Sequence, residues 1–151
     1  AKDPLVGVAT IELAKVKALQ GDRGGAIADL RNMLAAEATK NDRSAALAAL
    51  HLATLLREEN KAVEAAKVLA DARKQYEPAL AADKERAEWA PLLKYHQAVA
   101  QMETGYAADA RKLFEEVVTA AKDKPVGAEA TLRAGQCRLI EGRKQINDGL
   151  Q

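Results

Sequence analysis

The sequence predicts an all-α fold in which antiparallel helix hairpins stack in series, about seven to eight helices in 151 residues. Three observations carry that expectation. Hydrophobic residues form 48% of the chain and aromatics only 3%, so Ala and Leu, the strongest helix formers, dominate the apolar share. Apolar residues recur at three- and four-residue spacing, the period of one helix face. Turn residues return at a nearly regular interval: Gly21, Asn60, Gly105 and Gly142 are separated by 39, 45 and 37 residues, the signature of a repeat array.

The elements follow in order. Asp3 and Pro4 supply an N-cap and a proline at the first helical position, and Leu5, Val8, Ile11, Val16 and Leu19 extend a first helix from about Pro4 to Gln20. Past Gly21-Asp22, the run Ala26, Ile27, Leu30, Met33 and Leu34 is one face of a second helix ending near Thr39. Asn41 and Asp42 offer cap chemistry to a third helix through Leu47, Leu50 and Leu56, and Glu59-Asn60 turns the chain into a fourth, Val63 to Tyr76. Pro78 closes that hairpin, because it lacks a backbone donor and clashes with the preceding turn.

A charged connector, Glu77 to Glu88, leads to a helix over Trp89 to Glu103 with Pro91 in its first turn, and Thr104-Gly105 separates it from Tyr106 to Lys122. Lys124-Pro125 punctuates again. Ala128 to Glu141 then reads as a helix, Gly142 as a turn, and Arg143 to Leu150 as the start of a helix truncated by the chain end. The expected organisation is one domain over 1–151 with repeats at about 4–39, 42–77, 86–122 and a truncated 126–151. Because the chain opens on Ala-Lys-Asp-Pro and stops within a helical pattern, it is expected to be a fragment of a longer protein.

Aligned on the turns, small residues stand seven positions earlier: Ala14, Ala53, Ala98 and Gly135. Small side chains at that place let the two helices of a hairpin cross closely. Ala26, Ala65 and Ala110 lie five positions after the turn, and Leu30, Leu69 and Phe114 lie nine after, a small-then-large pair that interlocks two helices. The segments 21–30 and 105–114 carry this pattern most fully, and they resemble the tetratricopeptide repeat (TPR). That family has a small residue late in its first helix, a turn glycine, then alanine and a large apolar residue in its second. The resemblance spans nearly the whole chain and implies a right-handed α-solenoid. The repeats are longer than the usual period of roughly 34 residues, the family's early tryptophan is missing from its aligned positions, and the closing prolines are displaced or absent. Divergent repeats with irregular curvature are therefore expected.

Charge is nearly balanced, 23 Lys and Arg against 22 Asp and Glu, which provides no global field for nucleic acid or an anionic membrane. Apolar runs stop far short of the roughly 20 residues that cross a bilayer. A chain of this length buries about 68–70% of its unfolded surface and needs no disulfide; its one cysteine, Cys137, leaves the compartment open between bacterial cytoplasm and periplasm.

No constellation points to catalysis or to a cofactor. His51 and His96 have no His, Cys, Asp or Glu three or four residues away, so the helical spacing that gathers metal ligands is missing. Gly21, Gly24 and Gly25 read as turn glycines, with no Gly-Lys-Ser and no preceding strand to make a phosphate loop. Cys137, in the helical stretch 132–140, reads as a buried structural thiol without a neighbour placed to activate it. The acid pairs Glu58-Glu59 and Glu115-Glu116 read as solvated charge.

In the alignment, Glu12, His51, His96 and Arg133 occupy one position of successive first helices. The TPR resemblance implies that such positions face a groove. It assigns to the groove wall Val8, Ile11, Glu12 and Lys15, then Leu47, Leu50, His51 and Thr54. Leu92, Tyr95, His96 and Val99 follow, and Glu129, Leu132, Arg133 and Gln136 complete it. An apolar floor beside a polar stripe suits an amphipathic helix or an extended peptide, while the same apolar residues suit packing under a neighbouring repeat, since helix faces in a solenoid serve both roles. Lys15 alone does not reproduce the family's clamp for a terminal carboxylate. The expected role is a non-catalytic protein-interaction scaffold for a protein or peptide partner. The alternative is a structural spacer or self-association segment that uses the truncated last hairpin through Ile140 and Ile146.

Overall fold

The computed structural model describes residues 5–151, and the expected cap at Asp3-Pro4 lies outside them. Seven helices and no strand are present among the described residues: α1 (Leu5–Leu19), α2 (Arg23–Ala35), α3 (Ala45–Glu58), α4 (Ala62–Ala81), α5 (Trp89–Glu103), α6 (Ala107–Ala120) and α7 (Pro125–Gly149). Each helix packs on the next, and α1 also touches α3, α3 touches α5 and α5 touches α7. Between the second helices α2 and α4 the link is through side chains, Arg31 pairing with Glu64.

Three of the turns are built alike. Gly21, Asn60 and Gly105 have φ of 91°, 59° and 88°, the left-handed conformation that ends a helix most readily at Gly or Asn. At each, the turn residue donates its N–H to the carbonyl three residues back: Gly21 to Ala18, Asn60 to Arg57 and Gly105 to Met102. The following residue donates to the carbonyl five back: Asp22 to Lys17, Lys61 to Leu56 and Tyr106 to Gln101. This pair of bonds is the Schellman motif, which satisfies carbonyls orphaned at the helix end. At Asp22 the carboxylate also caps α2 by accepting from the Gly25 N–H at 2.8 Å.

The interlocking residues then meet as the spacing demands. Ala26, Leu30, Ala65, Leu69, Ala110 and Phe114 are fully buried, facing Ala14, Ala53 and Ala98, which are also buried. Two apolar clusters result, one spanning α1 to α5 and one spanning α5 to α7. Helix α5 divides them: Leu93 and Ala100 belong to the first, Tyr95, Ala98 and Val99 to the second.

Several expected boundaries move. Helix α2 stops at Ala35 instead of Thr39, where the Thr39 hydroxyl donates to the Met33 carbonyl at 2.7 Å and competes with helix continuation. Asp42 acts one step removed from the cap, accepting from the N–H (2.8 Å) and hydroxyl (2.5 Å) of Ser44, which precedes α3. Pro78 does not end α4, which runs to Ala81. Burial of Leu80 and the bond from the Tyr76 hydroxyl to the Lys40 carbonyl at 2.7 Å hold the last turns in place past the proline. The connector shrinks to residues 82–88 and is pinned by Arg86, which donates to the Arg43 carbonyl at 2.7 Å and pairs with Asp83 at 2.7 Å.

The largest correction concerns the chain's last third. Gly142 is not a turn; it lies within the 25-residue helix α7, so no truncated hairpin follows it. Glu141 before it and Arg143, Lys144 and Gln145 after it are good helix formers, and one interior glycine costs only about 1 kcal/mol relative to alanine. Gly135, the expected crossing residue, is half-buried with open space at its Cβ, while Ala134 beside it packs into the core.

The two glycine environments predict opposite responses to one substitution. Gly105→Ala places a side chain at positive φ and is expected to destabilise by about 1 kcal/mol, whereas Gly142→Ala is expected to stabilise by about 0.5–1 kcal/mol. Urea unfolding followed by circular dichroism measures both; equal signs would contradict the assignment of one as turn and the other as helix.

Candidate functional site

The residues expected along the first helices separate by chemistry. Ile11, Leu50, Tyr95 and Val99 are 1%, 8%, 9% and 4% exposed and belong to the core; Leu50, Tyr95 and Val99 are not available as a groove floor, and Ile11 only borders the base of the cleft between α1 and α3. Each stands at a place where a first helix meets the neighbouring hairpin, and burial there outweighs exposure to a ligand. Leu47 and Leu92 are half-buried against the first cluster. Leu132 is 59% exposed and Val8 46% exposed, on the sides of α7 and α1 that no other helix covers.

The polar members are half-buried, Glu12 and Glu129 excepted, and form neighbouring groups from helix to helix. On α1, Lys15 pairs with Glu12 at 2.7 Å, and the charges of both reach His51 on α3. His51 in turn acts on His96 of α5, which also feels Arg57. Arg57 is held by Glu103 through bonds of 2.9 and 2.5 Å from Nε and Nη2. The Tyr95 ring meets the His96 ring edge-on at 5.3 Å, and its hydroxyl donates to Glu129 of α7 at 3.2 Å. Arg133 completes the series, 3.4 Å from Glu129 and donating to Gln136 at 3.3 Å.

Part of this row lines a cleft of about 420 Å³ between α1 and α3. Ile11, Lys15, His51 and Thr54 come together there. Leu55 adds half-buried apolar floor over the fully buried Leu30, and Arg23 and Glu58 add rim charge. Arg23 lies 3.5 Å from both Glu58 and Glu59, bringing the start of α2 to the end of α3. Sequence reasoning omitted Arg23 and Glu58, which stand at hairpin ends, and Leu55, which falls outside the aligned first-helix positions, and read Leu30 as a packing residue of the second helix. A second cleft, of about 500 Å³, lies between the 82–88 connector, α5 and the loop before α7, and of the expected residues it contains only Leu92. Lys124 and Glu88 pair at 2.5 Å beside it, which neutralises its main charges.

Both histidines are held below their ordinary value of 6.5, first by burial, then by Lys15 at His51 and by Arg57 at His96. The His96 Nδ1 is buried without a hydrogen-bond partner. Cys137 is fully buried, and burial pushes its thiol up, away from the thiolate needed for nucleophilic chemistry. Glu141, one turn along α7, raises it further, so an acid overlooked as a neighbour quenches the thiol instead of activating it. No group of three His, Cys, Asp or Glu able to hold a metal occurs among the described residues, and no helix there is long and apolar enough to cross a membrane. No protein-family model and no curated protein matches the sequence.

The depressed histidines make stability pH-dependent with a definite sign. The unfolded chain binds protons at these imidazoles before the folded one does, so stability is full above about pH 6.5 and falls as pH drops below it. A melting temperature that declines between pH 7 and 5.5, with the decline reduced in His51→Gln/His96→Gln, is the expected outcome. An identical decline in the double variant would remove the histidines from the effect, since carboxylates such as Glu88, lowered by Lys124, titrate at more acid pH.

Proposed function

We propose that the chain is a non-catalytic protein-interaction scaffold, a TPR-like right-handed stack of hairpins whose first helices receive an amphipathic helix or extended peptide. The observation that carries this reading is the α1–α3 cleft, where apolar floor and polar rim from two successive first helices meet. The three like-built turns and the contacts of α1 with α3, α3 with α5 and α5 with α7 support a solenoid arrangement. An apolar floor supplies affinity, and the mixed rim of Lys15, Arg23, His51 and Glu58 supplies register. Self-association is the second reading, favoured by the apolar residues that α1 and α7 leave exposed.

Because Leu50 and Tyr95 are core, Leu50→Glu or Tyr95→Glu is expected to unfold the domain, seen as lost helicity at 25 °C, and cannot report on binding. The informative variant is Lys15→Glu/His51→Glu, altering side chains that line the cleft but stay partly exposed. A protein captured by the wild type and lost only with this folded variant, in affinity capture followed by mass spectrometry, is the expected result. Equal capture by both sinks the cleft as the binding site.

A further inference from the structure

Helix α7 carries a seam that the rest of the chain leaves bare. Leu132, Leu139 and Ile146 are 59%, 65% and 64% exposed, seven residues apart, and therefore lie on one side of the helix. Interleaved with them at three- and four-residue spacing are Ala128, Gly135 and Gly142. Large and small residues thus alternate along three heptads. The opposite side of α7, with Ala130, Ala134 and Cys137, faces the core.

The glycines are what makes the seam informative. A Cβ added at Gly135 or Gly142 would meet nothing within 4 Å, in contrast to Gly127, where it would strike the Ala121 carbonyl. Nothing within this chain calls for glycine at either position, and glycine is a poor helix former. A neighbour that inserts a large side chain there does call for it, because only a bare Cα leaves room for close approach.

We infer that this seam pairs with the seam of a second copy of the chain, α7 against α7, antiparallel about a two-fold axis. With the axis at residue 137, each large residue faces a small one: Leu132 meets the second copy's Gly142, Leu139 its Gly135 and Ile146 its Ala128. The symmetry repeats all three contacts in the other direction, as a closed isologous dimer requires. The same register brings Glu129 of one copy to Arg143 of the other, twice, on one flank of the seam. Arg143 is exposed, and the contacts of Glu129 within the chain run through Oε1. Neither a parallel pairing nor α1 as partner provides both matches: parallel chains set Leu on Leu, and the uncovered side of α1 contains no glycine opposite these leucines.

The dimer uses the side of α7 away from the core and does not depend on the cleft between α1 and α3, so the two readings fail separately. Sedimentation velocity over a concentration series tests it, with circular dichroism confirming helicity of each variant. The wild type is expected at twice 16.2 kDa. Leu139→Lys is expected to weaken association by on the order of tenfold or more. Gly142→Leu is the discriminating variant: it favours the helix in a single chain but fills the gap that Leu132 of the second copy needs. It is therefore expected to raise the melting temperature at low concentration and to weaken dimerisation. Arg143→Glu is expected to weaken it, and Glu129→Lys/Arg143→Glu to restore it. A wild type that stays monomeric, a Gly142→Leu variant that associates more tightly, or dissociation by Val16→Lys on α1 but not by Leu139→Lys would each overturn the inference.

Discussion

Close approach of the two helices in each hairpin is the constraint on which the rest of this structure depends. It is met three times by one device: a left-handed residue at the turn, a small residue on the incoming helix, and an alanine followed four residues later by a large apolar side chain on the outgoing one. Leu30, Leu69 and Phe114 are completely buried because Ala26, Ala65 and Ala110 admit the facing backbone. An aromatic-poor core is sufficient under these conditions, since dispersion depends on the number of close contacts more than on ring size. Where the device lapses, at Gly142, the chain runs on as one helix.

Ion pairs between hairpins add register more than stability. Arg23 with Glu58, Arg57 with Glu103 and Arg111 with Glu141 each join consecutive hairpins or neighbouring helices. Their side chains keep substantial contact with water, where such a pair contributes roughly 0–1 kcal/mol. Arg111 is the most heavily paired, its guanidinium held by Glu141 and Glu115 and stabilised in the charged form by both. Arg57–Glu103 joins α3 directly to α5, the two helices that bring His51 and His96 together, while Arg23–Glu58 and Arg111–Glu141 tie a second helix to the helix that follows it.

Helix existence and the three hairpin turns were legible in the sequence because both follow from local chemistry: spacing of apolar residues, and Gly or Asn where φ must be positive. Other features depend on partners distant in the chain. Pro78 looks like a terminus until Leu80 is seen buried, and Thr39 looks helical until its hydroxyl finds Met33. The candidate surface divides in the same way. Polar positions such as Lys15, His51 and Gln136 are only half-buried, since charge and hydrogen-bonding capacity keep them near water. Ile11, Leu50, Tyr95 and Val99 were not distinguishable from ligand-facing residues, because an apolar side chain on a first helix serves a neighbouring hairpin or a ligand equally well.

Leu132 shows how finely those two outcomes are divided. It precedes Arg133 by one residue, and one residue is about 100° around a helix. Arg133 therefore lies with Glu129 and Gln136 toward α5, while Leu132 points away from every other helix. In α3 and α5 the residues equivalent to Leu132, Leu50 and Tyr95, are covered by the next hairpin. On α7 the described residues leave the same position 59% exposed. One periodic pattern thus generates core on α3 and α5 and an exposed apolar seam on α7. Alternation of that seam with glycine is the part the repeat does not require, and it is what distinguishes a surface shaped for a second helix from one merely left uncovered.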